Sequence, residues 1–162
     1  MDRMTELGAA LGQLLKDRGE SIAIAESSTG GLVSAALLSV PGASKYFMGG
    51  GVIYTRAARR GLLDFSELDA QMRAATQDYA SRLASDIRDR LGATWGIGES
   101  GATGPTGNSY GDAPGHTCFA VVGPVSRAMT LETGSDVREA NMWRFAEETI
   151  AFARQTIADA DN

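Results

Sequence analysis

Ser27, Ser28 and Thr29 place three hydroxyls in a row, with Glu26 before them and Gly30 and Gly31 after them. The run Ser21 to Ala25 leads into this cluster, and the apolar-periodic stretch Leu32 to Leu38 leads out of it. That order reads as a strand, a tight turn and a helix start. A helix start exposes N–H groups without intrahelical partners and carries a partial positive charge, so it suits a phosphate or a developing oxyanion. Serine beside such donors also has the makings of a nucleophile, provided a base removes its proton. The same residues serve equally well as helix caps, because Ser and Thr are preferred at N-caps and glycine permits tight packing. Spacing alone leaves both readings open.

Other chemistry-bearing residues are scattered. Arg56, Arg59 and Arg60 fall on a short helical pattern and read as a solvated face, and Arg138 and Arg144 of the last helical stretch read as solvated too. The segment Glu99 to Gly115 is rich in glycine and ends in Pro114-Gly115, the composition of a functional loop. Within it Thr103 and Thr106 bind substrate or satisfy loop backbone groups. His116 is the sole histidine and Cys118 the sole cysteine. His116 is a proton acceptor or a hydrogen-bonded strand-start residue, given an ordinary pKa near ~6.5. Cys118 sits in the apolar run Cys118 to Val122 and reads as a small core hydrophobe.

Composition narrows the classes. One Cys and one His build neither a disulfide framework nor a common protein-only zinc site, so no metal is expected. A net charge of −5 argues against a general nucleic-acid binder but leaves room for a local anion site. No run approaches the ~20 apolar residues of a membrane span. The polar, acidic start Met1 to Glu6 lacks the pattern of an export signal, which points to the cytoplasm. With 162 residues, 43% of them hydrophobic, one globular domain over 1–162 is expected.

The elements that must position these residues follow from periodicity. Leu7, Leu11, Leu14 and Leu15 mark a first helix over Thr5 to Arg18, stopped by Gly19. Strand, turn and helix occupy 21–39, and Pro41-Gly42 breaks the pattern. A second strand runs within Lys45 to Tyr54, a short helix covers Arg56 to Leu63, and a long helix spans 67–91 with a break near Thr76. A strand at 93–98 feeds the glycine-rich loop. Thr117 to Val122 and Ser126 to Glu132 form a hairpin, and Val137 to Ile157 a last helix. Helices alternating with strands, then a hairpin, predict an α/β domain with a mixed sheet.

Four blocks in this order, Ala25 to Gly31, Val40 to Ser44, Gly50 to Tyr54 and Ser100 to Pro105, resemble the CinA C-terminal domain family over nearly the whole chain. The resemblance implies a three-layer α/β/α fold, a homo-oligomer, and hydrolysis of the carboxamide of nicotinamide mononucleotide to nicotinate mononucleotide and ammonia, with no cofactor. It implies Ser27 as nucleophile and Tyr54 at the site. The expected ligand-binding set is Glu26, Thr29, Gly30, Gly31, Gly101, Thr103, Gly104 and His116, with Glu26 serving either the ligand or the helix dipole.

Two departures bear on that chemistry. Where the family carries a lysine held to be the base, five residues after the tyrosine, this chain has Arg59. A guanidinium keeps its proton at neutral pH, so Arg59 is expected to anchor an anion rather than to act as a base. The family's lysine before the fourth strand is also missing, leaving Ala113-Pro114-Gly115-His116. Glu99 takes a position that is usually apolar; it is a substitute base or a partner for Arg59. Two functions are carried forward: a pyridine-nucleotide amidohydrolase, and a nucleotide- or anion-binding module without the amidase base.

Overall fold

The computed structural model describes residues 2–161. Its elements are α1 (Arg3–Arg18), β1 (Ile22–Glu26), α2 (Leu32–Leu38), β2 (Phe47–Val52), α3 (Arg56–Leu63), α4 (Gln77–Leu91), β3 (Trp95–Ala102), β4 (His116–Val122), β5 (Arg127–Glu132) and α5 (Arg138–Ala158). Asp2 caps α1 by accepting from the Thr5 amide, and Gly19 ends it in the left-handed region that glycine adopts without a Cβ penalty.

The sheet order is β2-β1-β3-β4-β5. β1 lies parallel to β2 and β3, whereas β3, β4 and β5 run antiparallel, so the sheet is mixed. Helices α1, α2 and α5 cover one face with Leu11, Leu15, Leu37 and Ile150, meeting Ile22, Ile24, Trp95 and Ile97. The opposite face of β1, Ala23 and Ala25, meets Tyr79, Leu83 and Ile87 of α4. β1 is thus apolar on both faces, as a central parallel strand must be. The result is the three-layer α/β/α fold expected from the resemblance. Gly96 and Gly98 let α4 lie directly on β3, because a Cβ at either would stand 2.0 Å from the Ala84 or Ala80 carbonyl oxygen.

Two predicted boundaries moved. The long helix starts only at Gln77: Thr76 is its N-cap, accepting from the Tyr79 amide, and Asp69–Gln71 is a single 3-10 turn. The apolar spacing before Thr76 misled because Leu68 points to solvent, 80% exposed. The glycine-rich loop begins later than composition suggested, since β3 continues through Glu99, Ser100, Gly101 and Ala102, paired with His116 to Phe119 of β4. That extension places Glu99 in the sheet's buried interior rather than in a loop. β1 and β2 end level at Glu26 and Val52 while β3 runs on past them to Ala102, and the crevice beyond the ends of parallel strands is where open α/β sheets bind ligands.

Candidate active site

Two glutamates organise the turn between β1 and α2, and both are fully buried. Glu26 Oε1 accepts from the amides of Gly31 at 2.9 Å and Val33 at 3.2 Å and from the Thr29 hydroxyl at 2.6 Å. Its Oε2 accepts from the Ser34 amide at 2.9 Å and the Ser34 hydroxyl at 2.8 Å. The free amides of the α2 start are therefore taken by the chain's own carboxylate. Glu99 reaches across from β3: its Oε1 accepts from the amides of Ser27 at 3.1 Å and Thr29 at 3.0 Å. Its Oε2 accepts from the hydroxyls of Ser28 and of Thr117, the latter at 2.8 Å. Burial pushes the Glu99 carboxyl up; the bonds from Ser28, Thr29, Thr117 and Ser27 pull it back only in part, so it titrates above the usual glutamate range. Of the two serine hydroxyls in the turn, that of Ser28 contacts a carboxylate and that of Ser27 makes no hydrogen bond among the described residues; the Thr29 hydroxyl is shared by Glu26 and Glu99. Glu99 does not pair with Arg59.

Around this turn the other strand ends assemble a rim. The half-exposed Tyr54 lies just past β2, and its hydroxyl oxygen accepts from Arg138 Nη2 at 3.2 Å. Arg138 Nη1 donates to the Gly104 carbonyl at 2.7 Å. Arg138 thus ties the start of α5 to the end of β2 and to the loop after β3. Below it, buried Asn141 donates to the Thr103 and Ser135 carbonyls at 2.9 and 2.8 Å, and accepts from the Thr133 hydroxyl. Gly30 faces the same helix: a Cβ there would stand 2.9 Å from the Met142 methyl, and its φ of +63° favours glycine independently. Gly101 packs against Thr117, at the back of the strand pair.

Arg59 departs from both expectations, the solvated face and the anion anchor. It is 6% exposed; its Nη1 donates to the Ala70 and Met72 carbonyls at 2.8 Å each, and its guanidinium lies 4.4 Å from the centre of the Tyr79 ring. It fastens the segment between α3 and α4. Its Nε and the neighbouring Tyr79 hydroxyl have no hydrogen-bond partner among the described residues, and burial lifts the Tyr79 pKa to about 12. The physical reason is reach: on the buried side of an amphipathic helix the guanidinium found carbonyls before solvent.

His116 is likewise engaged. Nε2 lies 2.8 Å from the Ala75 carbonyl, for which it must be the donor, and Nδ1 lies 2.5 Å from the Glu132 carboxylate. Burial lowers the imidazole pKa, but the Ala75 carbonyl, Glu132 and Asp112 outweigh it and hold it above the ordinary value. Ala75 has a positive φ of 58° and its amide donates to Ser100 Oγ, so His116 and Ser100 together clamp a residue in an unfavoured conformation. Cys118 lies beside this cluster, buried as expected.

Two clefts among the described residues lie elsewhere: one between α1, α2 and Trp143, the other along the edge strand β2. Among the described residues no group of three His, Cys, Asp or Glu is placed to hold a metal ion, and no helix is long and apolar enough to cross a membrane.

Residues 4–157 match the model of the CinA C-terminal domain. The chain belongs to the CinA C-terminal domain family. It is 41% identical over 119 residues to a CinA-like protein of Prochlorococcus marinus, covering 73% of this chain and 28% of that protein. It is 35% identical over 136 residues to a CinA-like protein of Synechococcus elongatus, covering 80% and 32%. The chain thus spans about a third of the length of the curated relatives it matches. Among solved structures, a competence-damaged protein (CinA) superfamily protein of Enterobacter cloacae superposes with a TM-score of 0.86 at 27% identity, over 95% of this chain and 92% of that one. One from Klebsiella pneumoniae gives 0.87 at 25%, over 96% and 98%.

Within this CinA-family domain the turn residues Glu26 to Gly31 stay together, and Tyr54, Thr103 and Gly104 join through Arg138 and Asn141. Arg59 and His116 are each committed to backbone carbonyls. Sequence reading took Arg138 for a solvated residue and passed over Asn141. A polar Asn on the stripe shared with Phe145 and Thr149 was the available signal, since such a residue needs buried partners.

Proposed function

We propose that this chain hydrolyses the carboxamide of nicotinamide mononucleotide or a related pyridine nucleotide, at the rim formed by the Ser27 turn, Tyr54, Thr103, Gly104 and Arg138. One observation carries this reading: the exposed Arg138 bonds Tyr54 and Gly104 at once and so joins two of the chain's separated blocks beyond the ends of the parallel strands, where open α/β sheets bind ligands. In this reading Ser27 is the family-aligned hydroxyl, and Arg138 takes over the anion-holding role first expected of Arg59. An exposed guanidinium suits a phosphate or carboxylate. The protein is a cytoplasmic homo-oligomer that uses no metal or cofactor, and the exposed Met48, Val52 and Leu62 around strand β2 offer apolar surface for self-association.

A second reading, a module that binds the nucleotide without cleaving it, is favoured by the two carbonyls that hold Arg59 and by the amides of Ser27 and Thr29 already given to Glu99. Ammonia release from nicotinamide mononucleotide, measured beside calorimetric binding, separates the two. Hydrolysis is expected in the wild type, with Arg138→Ala raising KM about tenfold or more, the loss of one charged hydrogen bond. Binding without ammonia supports the module; neither binding nor ammonia refutes both.

A further inference from the structure

His116 joins parts of the chain that lie far apart in sequence, and neither reading above uses it. It opens β4 opposite Ala102 of β3 and Glu132 of β5, on the same face as Cys118, which packs toward α4. Its ring is buried, and both nitrogens face acceptors. Nε2 lies 2.8 Å from the Ala75 carbonyl and Nδ1 lies 2.5 Å from a Glu132 carboxylate oxygen. Neither a carbonyl nor an ionised carboxylate has a proton to give, so both protons come from the ring and the histidine is an imidazolium. Its charge is met by Glu132 and by Asp112 Oδ2, 3.8 Å from Nε2 in the loop after β3.

The two ring protons are not equivalent. The Nε2 proton lies in a buried bond to Ala75, the residue held at a positive φ with its amide on Ser100 Oγ. The Nδ1 proton faces a carboxylate whose side chain is 57% exposed, so solvent removes that one first. A bare Nδ1 then confronts the Glu132 oxygen as acceptor against acceptor, and Asp112 loses a cation. Arg73 makes the other tie from this loop to the connection before α4: it donates to Asp112 at 3.2 Å and stacks over the Tyr110 ring, half-exposed to solvent. The bonds between Asn108 and Asp112 are internal to the loop.

We propose that His116 is a proton-operated clasp: charged, it holds the loop tip, residues 105–112, against the connection 64–76 and the end of β5; uncharged, it keeps Ala75 and lets the tip go. The other groups around the ring do not carry this titration. Cys118 Sγ of β4, 3.8 Å from Nε2, is a thiol whose pKa burial pushes up. Gln77 of α4 is uncharged and bonded to Thr130, and Arg73 keeps its proton. Glu99 of β3 lies on the other face of the sheet, bonded to Thr117. Burial lowers the imidazole pKa, but Ala75, Glu132 and Asp112 outweigh it, so the clasp opens above the ordinary histidine value near ~6.5. The loop begins at Thr103 and Gly104, so any effect on ligand binding rests on the proposed function; the clasp does not.

The test therefore uses the protein without ligand. His116 is the sole histidine, so its ring nitrogen NMR signals are unambiguous. The ring is expected to be mostly imidazolium at pH ~6.5, where a free histidine is half neutral, and to keep its proton on Nε2 when it titrates. The amides of Gly107, Gly111 and Asp112 are expected to shift with the ring's midpoint. Their hydrogen exchange, corrected for its intrinsic pH dependence, should quicken about tenfold or more across that midpoint, while the Ala75 amide stays protected. His116→Gln offers Ala75 a donor without a charge and should leave the tip exchanging fast at every pH. A ring half neutral or more at pH ~6.5, loop amides that ignore its titration, or slow tip exchange in His116→Gln overturns the proposal. The wild-type titration decides by itself, so a variant that folds poorly leaves the clasp refutable. A clasp that opens as described in a protein that neither binds nor cleaves nicotinamide mononucleotide defeats the proposed function alone.

Discussion

Glu26 and Glu99 meet one turn from two strands, are equally buried, and are served by different sets of donors. Three of the five donors to Glu26 are backbone amides of the α2 start, spread over both oxygens. Glu99 has two amides and the shared Thr29 hydroxyl on one oxygen and two hydroxyls on the other. Amides cannot turn into acceptors and hydroxyls can, so the first glutamate is a fixed cap and the second has a side that adapts. Burial and position do not separate the two carboxylates; the kind of donor on each oxygen does.

The largest effect should come from breaking the fixed member. Glu26→Gln turns an NH2 group toward amide donors and is expected to cost about 3 kcal/mol, the scale of losing charged hydrogen bonds and stranding buried donors. Urea unfolding measures it, and a loss no greater than that of Glu99→Gln would erase the distinction. A smaller, pH-dependent effect belongs to Glu99. A carboxyl whose folded pKa is raised binds a proton more tightly when folded, so its contribution to stability is present below the ordinary value near ~4.3 and falls as pH climbs through the raised one. Glu99→Gln should flatten that slope, and an unchanged slope would place the titration elsewhere.

The smallest effect is expected at the second clamp. The raised pKa of His116 gives stability that is complete below ~6.5 and is lost as pH rises through the folded value. Glu132→Gln removes a partner that is itself half-exposed, so the histidine signal in an NMR titration should move down while stability shifts only slightly. A histidine that does not move would mean that the Ala75 carbonyl, rather than Glu132, sets its charge.

Helices α1, α2 and α3, the hairpin β4 and β5, and the mixed sheet were legible because periodicity, glycine stops and short apolar runs are local. The strand end, turn and helix start at Glu26 to Gly31 were recognisable for the same reason. Contacts across the sheet were not legible. Position 99 read as the start of a loop because glycines follow it, and only pairing with β4 makes it a strand residue that faces the turn. Arg138 read as solvated because Tyr54 and Gly104 lie far away in the chain.

The sequence by itself determined the family, the α/β class and the presence of a hydroxyl-rich turn opening a helix, since each is written in adjacent residues. Tertiary structure alone decided which groups the turn uses. It gave the amides to two buried carboxylates, the exposed guanidinium at the rim to Arg138, and the role of backbone fastener to Arg59. Those choices depend on which donors and acceptors burial brings within about 3 Å of one another, and spacing along a chain does not encode that distance.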